Sequence, residues 1–154
     1  RLMYTNFKKD LGRGRKIENM ILSNIQIKYP SAVLIDGKFS KYDIFIPENN
    51  YKIEVKYDLK SQETNNIVIE LFMFGKPSAL LATSAHLWVI YTGKEYLWIK
   101  PIKIFECIIL NNIQSREITG NGDSNTKKVC LVRLDLLKNY CYKVQTELKS
   151  EEII

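Results

Sequence analysis

A chain of 154 residues with 45% hydrophobic and 26% charged residues is sized and composed for one globular domain over 1–154. Its net charge of +6 favours a polyanionic partner, nucleic acid before membrane. No apolar run is long enough to span a bilayer. Three scattered cysteines without a CxxC, beside one histidine, exclude a disulfide framework and a structural zinc site.

The reading in chain order starts with a basic, irregular lead-in over 1–12, ended by Gly12-Arg13-Gly14. The chain opens on Arg1 with no initiator methionine and no signal-peptide pattern, which fits a trimmed or excised piece of something longer. Ile17, Met20, Ile21, Asn24 and Ile25 have helical spacing, so a helix is predicted over 15–28 and stopped by Tyr29-Pro30. A short strand over 31–35 and a turn at Asp36-Gly37 precede a hairpin with strands at 41–46 and 51–57. A polar loop over 58–65 leads to a strand over 66–72 and a break at 75–78, after which Ser78 caps a short helix reaching Ser84. A second hairpin pairs 87–91 with 96–99. A helix over 102–110, a loop at 120–124, a last strand over 129–134 and a helical or frayed tail after Val144 complete the order. The predicted class is α/β, a central mixed β-sheet flanked by helices.

The first hairpin carries the chemistry. A turn centred between Glu48 and Asn49 sets Asp43 across from Glu54. Like charges in that position sit only about 5 Å apart and destabilise a sheet. A divalent cation between them turns the repulsion into a site. Glu54 and Lys56, two residues apart, share a face, while Ile53, Val55 and Tyr57 point to the other. Phosphodiester hydrolysis requires neutralised phosphate charge and an activated water, and Mg²⁺ or Mn²⁺ held by one or two carboxylates meets both needs. Asp43 and Glu54 supply the carboxylates, the Val55 carbonyl adds a neutral oxygen, and Lys56 orients or deprotonates the water.

Asp43, a hairpin, then Glu54-Val55-Lys56 resembles the PD-(D/E)XK nuclease superfamily, over about 16–91. The likeness is greatest to phage- or virus-type endonucleases and the Holliday-junction-resolvase branch. Tyr42 stands where the motif has proline, a position often varied in the superfamily. The resemblance implies a restriction-endonuclease-like fold, Mg²⁺ or Mn²⁺ dependence, DNA as substrate and, in many members, a homodimer. It also implies a place for Glu18 on the preceding helix, completing the acidic cluster. Three scattered, reduced thiols separately point to an intracellular protein, cytoplasmic or nuclear, in the host cell if it is viral.

Around this centre, Lys38, Lys41 and Lys60 flank the hairpin and are candidates for backbone phosphates. Lys76, Ser78 and Thr83 are candidates for phosphate near a helix N-terminus. Simpler readings stand beside these: isolated lysines are solvated, Ser78 is a cap, Glu18 borders an apolar face and Glu70 faces solvent. His86, Trp88 and Trp98 read as packed core residues. The expected activity is metal-dependent endonucleolytic hydrolysis of DNA, in recombination or repair. Its rivals are a non-catalytic DNA-binding or assembly subunit with this fold and an RNA-processing nuclease.

Overall fold

The computed structural model of the chain describes residues 2–36, 42–119 and 126–148, with side chains within those ranges except at 2–11 and 13. A long helix, α1 (Leu2–Gln26), comes first. It continues through Gly12 and Gly14, where an irregular lead-in and a break were expected. Glycine costs a helix only about 1 kcal/mol relative to alanine, so it weakens a helix without stopping it. After Gln26 the chain turns, with the Tyr29 N–H donating to the Ile25 carbonyl at 2.9 Å just before Pro30.

Strands β1 (Val33–Leu34), β2 (Ile44–Ile46) and β3 (Tyr51–Tyr57) form an antiparallel meander. A short helix, α2 (Ser61–Thr64), sits in the segment expected to be a loop. Next come β4 (Asn66–Met73), β5 (Lys76–Pro77) and a single 3₁₀ turn, Ala79–Leu81. Strands β6 (Leu87–Tyr91) and β7 (Tyr96–Ile99) make the second hairpin. They are followed by α3 (Pro101–Leu110), β8 (Ser115–Thr119), β9 (Thr126–Arg133), α4 (Leu134–Lys138) and β10 (Lys143–Gln145).

The architecture is α/β, with a mixed central sheet flanked by helices. Six strands lie in the order β1-β2-β3-β6-β7-β10, and β3 and β6 are the parallel pair. On one face, Ile17, Ile21 and Ile25 of α1 pack on Ile44, Ile46, Ile53, Leu87, Val89 and Trp98. These helix positions recur every four residues, and the strand positions alternate, so each element buries one side. On the other face lie Trp88, Ile90, Leu97 and Ile99, covered by Ile104 and Cys107 of α3, Leu137 of α4, and a second sheet.

That second sheet is a departure from the expected single one. It is antiparallel, in the order β5-β4-β9-β8. Ile67 and Ile69 of β4 are buried, whereas Val68 between them is exposed. Such a strand has one apolar face, and it meets the matching Cys130 and Val132 of β9 rather than joining the central sheet. Strand β8 is exposed along its whole length, so no hydrophobic alternation marked it in advance. Strand β10 has three residues and is anchored through Gln145, whose Oε1 accepts the buried Trp98 indole N–H at 2.9 Å.

One glycine is set by its surroundings. Gly93, between β6 and β7, has φ +96°, and a Cβ there would collide with the Gln62 amide that donates to the Thr92 carbonyl. Among the described residues, no helix is long and apolar enough to cross a membrane.

Candidate active site

Strands β2 and β3 pair in the register that the turn position predicted: Ile44 faces Ile53, Phe45 faces Lys52 and Ile46 faces Tyr51. Asp43 lies one residue before β2, where the ladder ends. Its N–H donates to the Ile53 carbonyl at 2.9 Å and its carbonyl accepts from the Ile35 N–H at 2.8 Å. With its backbone committed in this way, its side chain takes over the ladder: Oδ2 accepts the Val55 N–H at 2.7 Å. The carboxylate therefore replaces a missing strand as acceptor, and this holds it at the edge of β3. A residue's N–H and C=O point to the same edge of an extended strand, so the Val55 carbonyl faces this side too.

Glu54 is on the face of β3 opposite Ile53, and its neighbour in the parallel register is Trp88. Its side chain is only 16% exposed, and Oε1 lies 3.3 Å from Lys56 Nζ. Its Oε2 accepts the Thr83 hydroxyl at 3.1 Å. The Thr83 oxygen in turn accepts the Ala85 N–H and the Trp88 indole N–H, each at 3.1 Å. With two donors pointing at that oxygen, the hydroxyl hydrogen is the one left for Glu54, which fixes its direction. Lys56 Nζ stands 5.4 Å from the centroid of the Trp88 ring, on its face. Glu54, Lys56, Thr83 and Trp88 thus lock one another in place.

The carboxyl groups carry the cost of this closeness. Burial raises the pKa of Asp43, against the opposing pull of the Val55 N–H and the Lys56 charge. Burial also raises that of Glu54. Lys56 and the Thr83 hydroxyl oppose the rise, and the negative charge of Asp43 adds to it. Glu18 on α1 is raised by burial first and by Asp43 second, with Arg15 lowering it. The Asp43 charge therefore reaches both Glu18 on α1 and Glu54 on β3. Among the described residues no group of three or more acidic, histidine or cysteine side chains is arranged to hold a metal ion. Glu18 lies near enough to Asp43 for the Asp43 charge to act on it.

A pH effect follows from these shifts. A carboxyl whose pKa is higher folded than unfolded stabilises the fold below its unfolded pKa, about 4, and that contribution is lost as pH rises through the folded value. Glu54→Gln removes the ionisation. In EDTA, the melting temperature of Glu54→Gln relative to the unchanged protein is expected to rise from pH 4 to pH 7. A difference that stays flat or falls over that range contradicts a destabilising Glu54 charge.

The other candidates are dispersed. Lys38 and Lys41 lie outside the described residues. Lys60 is exposed at the start of α2, and Lys76 is exposed on β5 opposite Met73. The Thr83 hydroxyl is given to Glu54 rather than left for a phosphate. Ser78 precedes the 3₁₀ turn without capping it, and the expected helix through Ser84 shrinks to that turn. The Ser78 hydroxyl instead donates to Glu70 Oε2 at 2.8 Å. Glu70 does not simply face solvent: it lies 3.6 Å from Lys127 Nζ and lines a cavity beside Lys56.

His86 is exposed rather than packed in the core. Its ring stacks on Tyr51 at 4.7 Å, and its Nδ1 accepts the Lys52 N–H at 3.0 Å, prolonging the β3–β6 ladder. Trp88 is buried as expected but also supports Lys56 and Thr83. Only the β3–β6 register reveals that second role, and no local sequence pattern encodes it.

No family model, curated protein or solved structure matches this chain.

Proposed function

We propose that this protein is a metal-dependent endonuclease that hydrolyses DNA phosphodiester bonds on a restriction-endonuclease-like fold. The observation that carries the reading is the placement of Asp43 against the Val55 N–H and of Glu54 against Lys56, on successive residues of β3, each held by a specific partner. The order of a helix with Glu18, a hairpin bearing Asp43 and Glu54-Val55-Lys56, and a mixed sheet adds support through the resemblance to PD-(D/E)XK nucleases.

The residues fit a hard divalent cation. Two carboxylates and a backbone carbonyl are the oxygen donors that Mg²⁺ and Mn²⁺ select, and burial, which raises both pKa values, leaves negative charge that a cation would stabilise. Asp43, Glu54 and the Val55 carbonyl would hold the ion. When bound, it supplies Lewis-acid polarisation of the phosphate and a water of lowered pKa.

The remaining work belongs to the chain. Asp43 is fixed by the Val55 N–H and Glu54 by Thr83, so little reorganisation is needed as charge develops. Lys56 is 40% exposed and reaches the substrate side of the site, where it orients the attacking water and stabilises charge on the phosphate oxygens. The net charge of +6 favours approach of a polyanion.

The test is a cleavage panel in Mg²⁺ and in Mn²⁺ with duplex, single-stranded, flap, four-way-junction and RNA substrates. Cleavage of DNA that stops in EDTA is expected. Binding of DNA with no cleavage of any substrate favours a non-catalytic subunit, and cleavage confined to RNA favours an RNA-processing nuclease.

A further inference from the structure

A cavity of about 300 Å³ opens between β3, β6 and β4, and Lys56 and Trp88 belong both to its wall and to the candidate active site. We propose that it receives one unstacked nucleobase of the substrate DNA, beside the phosphate bound at the Asp43–Glu54 edge. The placement of that phosphate rests on the endonuclease reading above; the cavity itself does not.

Size is the first argument. The volume is at the lower end of small-molecule sites, about 300–1,000 Å³, and suits one heterocycle rather than a base pair. Lining chemistry is the second. Ile67, Val68 and Ile90 give apolar walls, and Asp58 and Glu70 bring carboxylates. Asp58 Oδ2 already accepts the Val68 N–H at 3.0 Å, and Glu70 accepts from Ser78 and faces Lys127. A carboxylate offers about four acceptor positions, so both retain capacity for the amino group of a base.

Continuity is the third argument. Lys56 stands between Glu54 and the cavity, so a phosphate at the first places the adjoining nucleotide at the second. A base stacked in continuous duplex does not reach such a recess. A nucleotide that is unpaired at a bulge, flap or junction does so at lower cost. The substrate class is therefore DNA with an unpaired nucleotide next to the scissile phosphate.

Val68 provides the probe variant. It stands at the rim of the cavity, on the exposed face of β4, and is 44% exposed, so Val68→Trp can cover the mouth of the recess from a strand position that accepts aromatic residues. Three duplexes would be compared: fully paired, with one bulged 2-aminopurine, and with an abasic residue in its place. Binding is read by 2-aminopurine fluorescence in Ca²⁺ and cleavage in Mg²⁺.

For the unchanged protein, fluorescence is expected to rise on binding, and the bulged duplex is expected to be cut faster than the paired one. Val68→Trp is expected to abolish the fluorescence rise. It is also expected to lower the ratio of bulged-base to abasic cleavage by about tenfold, the scale of losing one base contact. Equal cleavage of all three duplexes with no fluorescence rise overturns the pocket and leaves the endonuclease. A rise lost in Val68→Trp with no cleavage in any metal supports the pocket and overturns the endonuclease. If Val68→Trp does not fold, the fluorescence and cleavage of the unchanged protein decide alone: no rise and no preference for the bulged base overturn the proposal.

Discussion

Replacing Glu54 by Gln, or Lys56 by Ala, is expected to abolish DNA cleavage while leaving the protein folded. Neither side chain belongs to the two apolar clusters that hold the sheets and helices together. In the proposed mechanism each stands beside the phosphate on which charge develops. Losing one such interaction removes about 3 kcal/mol or more of transition-state stabilisation, a rate drop of at least about a hundredfold. Single-turnover rates on the best substrate of the cleavage panel measure this. Circular dichroism of each variant establishes that the fold is present. Near-normal rates in either variant would show that other residues do the chemistry. Glu18→Gln is expected to have a smaller effect, overcome by higher metal concentration, because Glu18 reaches Asp43 from α1, outside the β2–β3 hairpin.

The two natural replacements of Asp43 are expected to separate its structural from its chemical role. Asp43→Ala leaves the Val55 N–H without its acceptor at a partly buried strand edge. That loss costs about 1–3 kcal/mol of stability. Asp43→Asn keeps a carbonyl oxygen for the same N–H and loses a charge that burial disfavours, so its stability at pH 7 in EDTA is expected to equal or exceed that of the unchanged protein. Its cleavage rate is nevertheless expected to fall as far as that of Glu54→Gln. Urea denaturation in EDTA, run beside cleavage assays, reads both effects. Equal stability of the Ala and Asn variants would remove the structural role of the carboxylate. Normal cleavage by Asp43→Asn would reduce Asp43 to scaffold.

The hairpin was legible in the sequence because every determinant of its geometry is local. Pro47-Glu48-Asn49-Asn50 set the turn, the turn set the register, and the period of two put Glu54 and Lys56 on one face. The second hairpin was readable for the same reason, with Thr92-Gly93 separating two apolar runs. What escaped depends on partners distant in sequence. The direction of Glu70 follows from β4 joining β9, some 60 residues on, rather than the central sheet. The support that Trp88 and Thr83 give to Lys56 and Glu54 follows from the parallel β3–β6 register. His86 sits between Ala85 and Leu87, which suggested burial, yet its ring lies outside on Tyr51. The start of α1 was misplaced because two glycines were given the weight of a stop.

Burial and, at Glu54, the Asp43 charge disfavour the ionised carboxylates without a cation, so a divalent ion that binds only the native state should stabilise it by mass action. The most direct measurement is the melting temperature as a function of Mn²⁺ concentration, for the unchanged protein, Asp43→Asn and Glu54→Gln. The unchanged protein is expected to show a saturable rise over its value in EDTA, and both variants, already relieved of one charge, a curve that stays flat. Curves that coincide for all three proteins would show that Asp43 and Glu54 do not form a cation site.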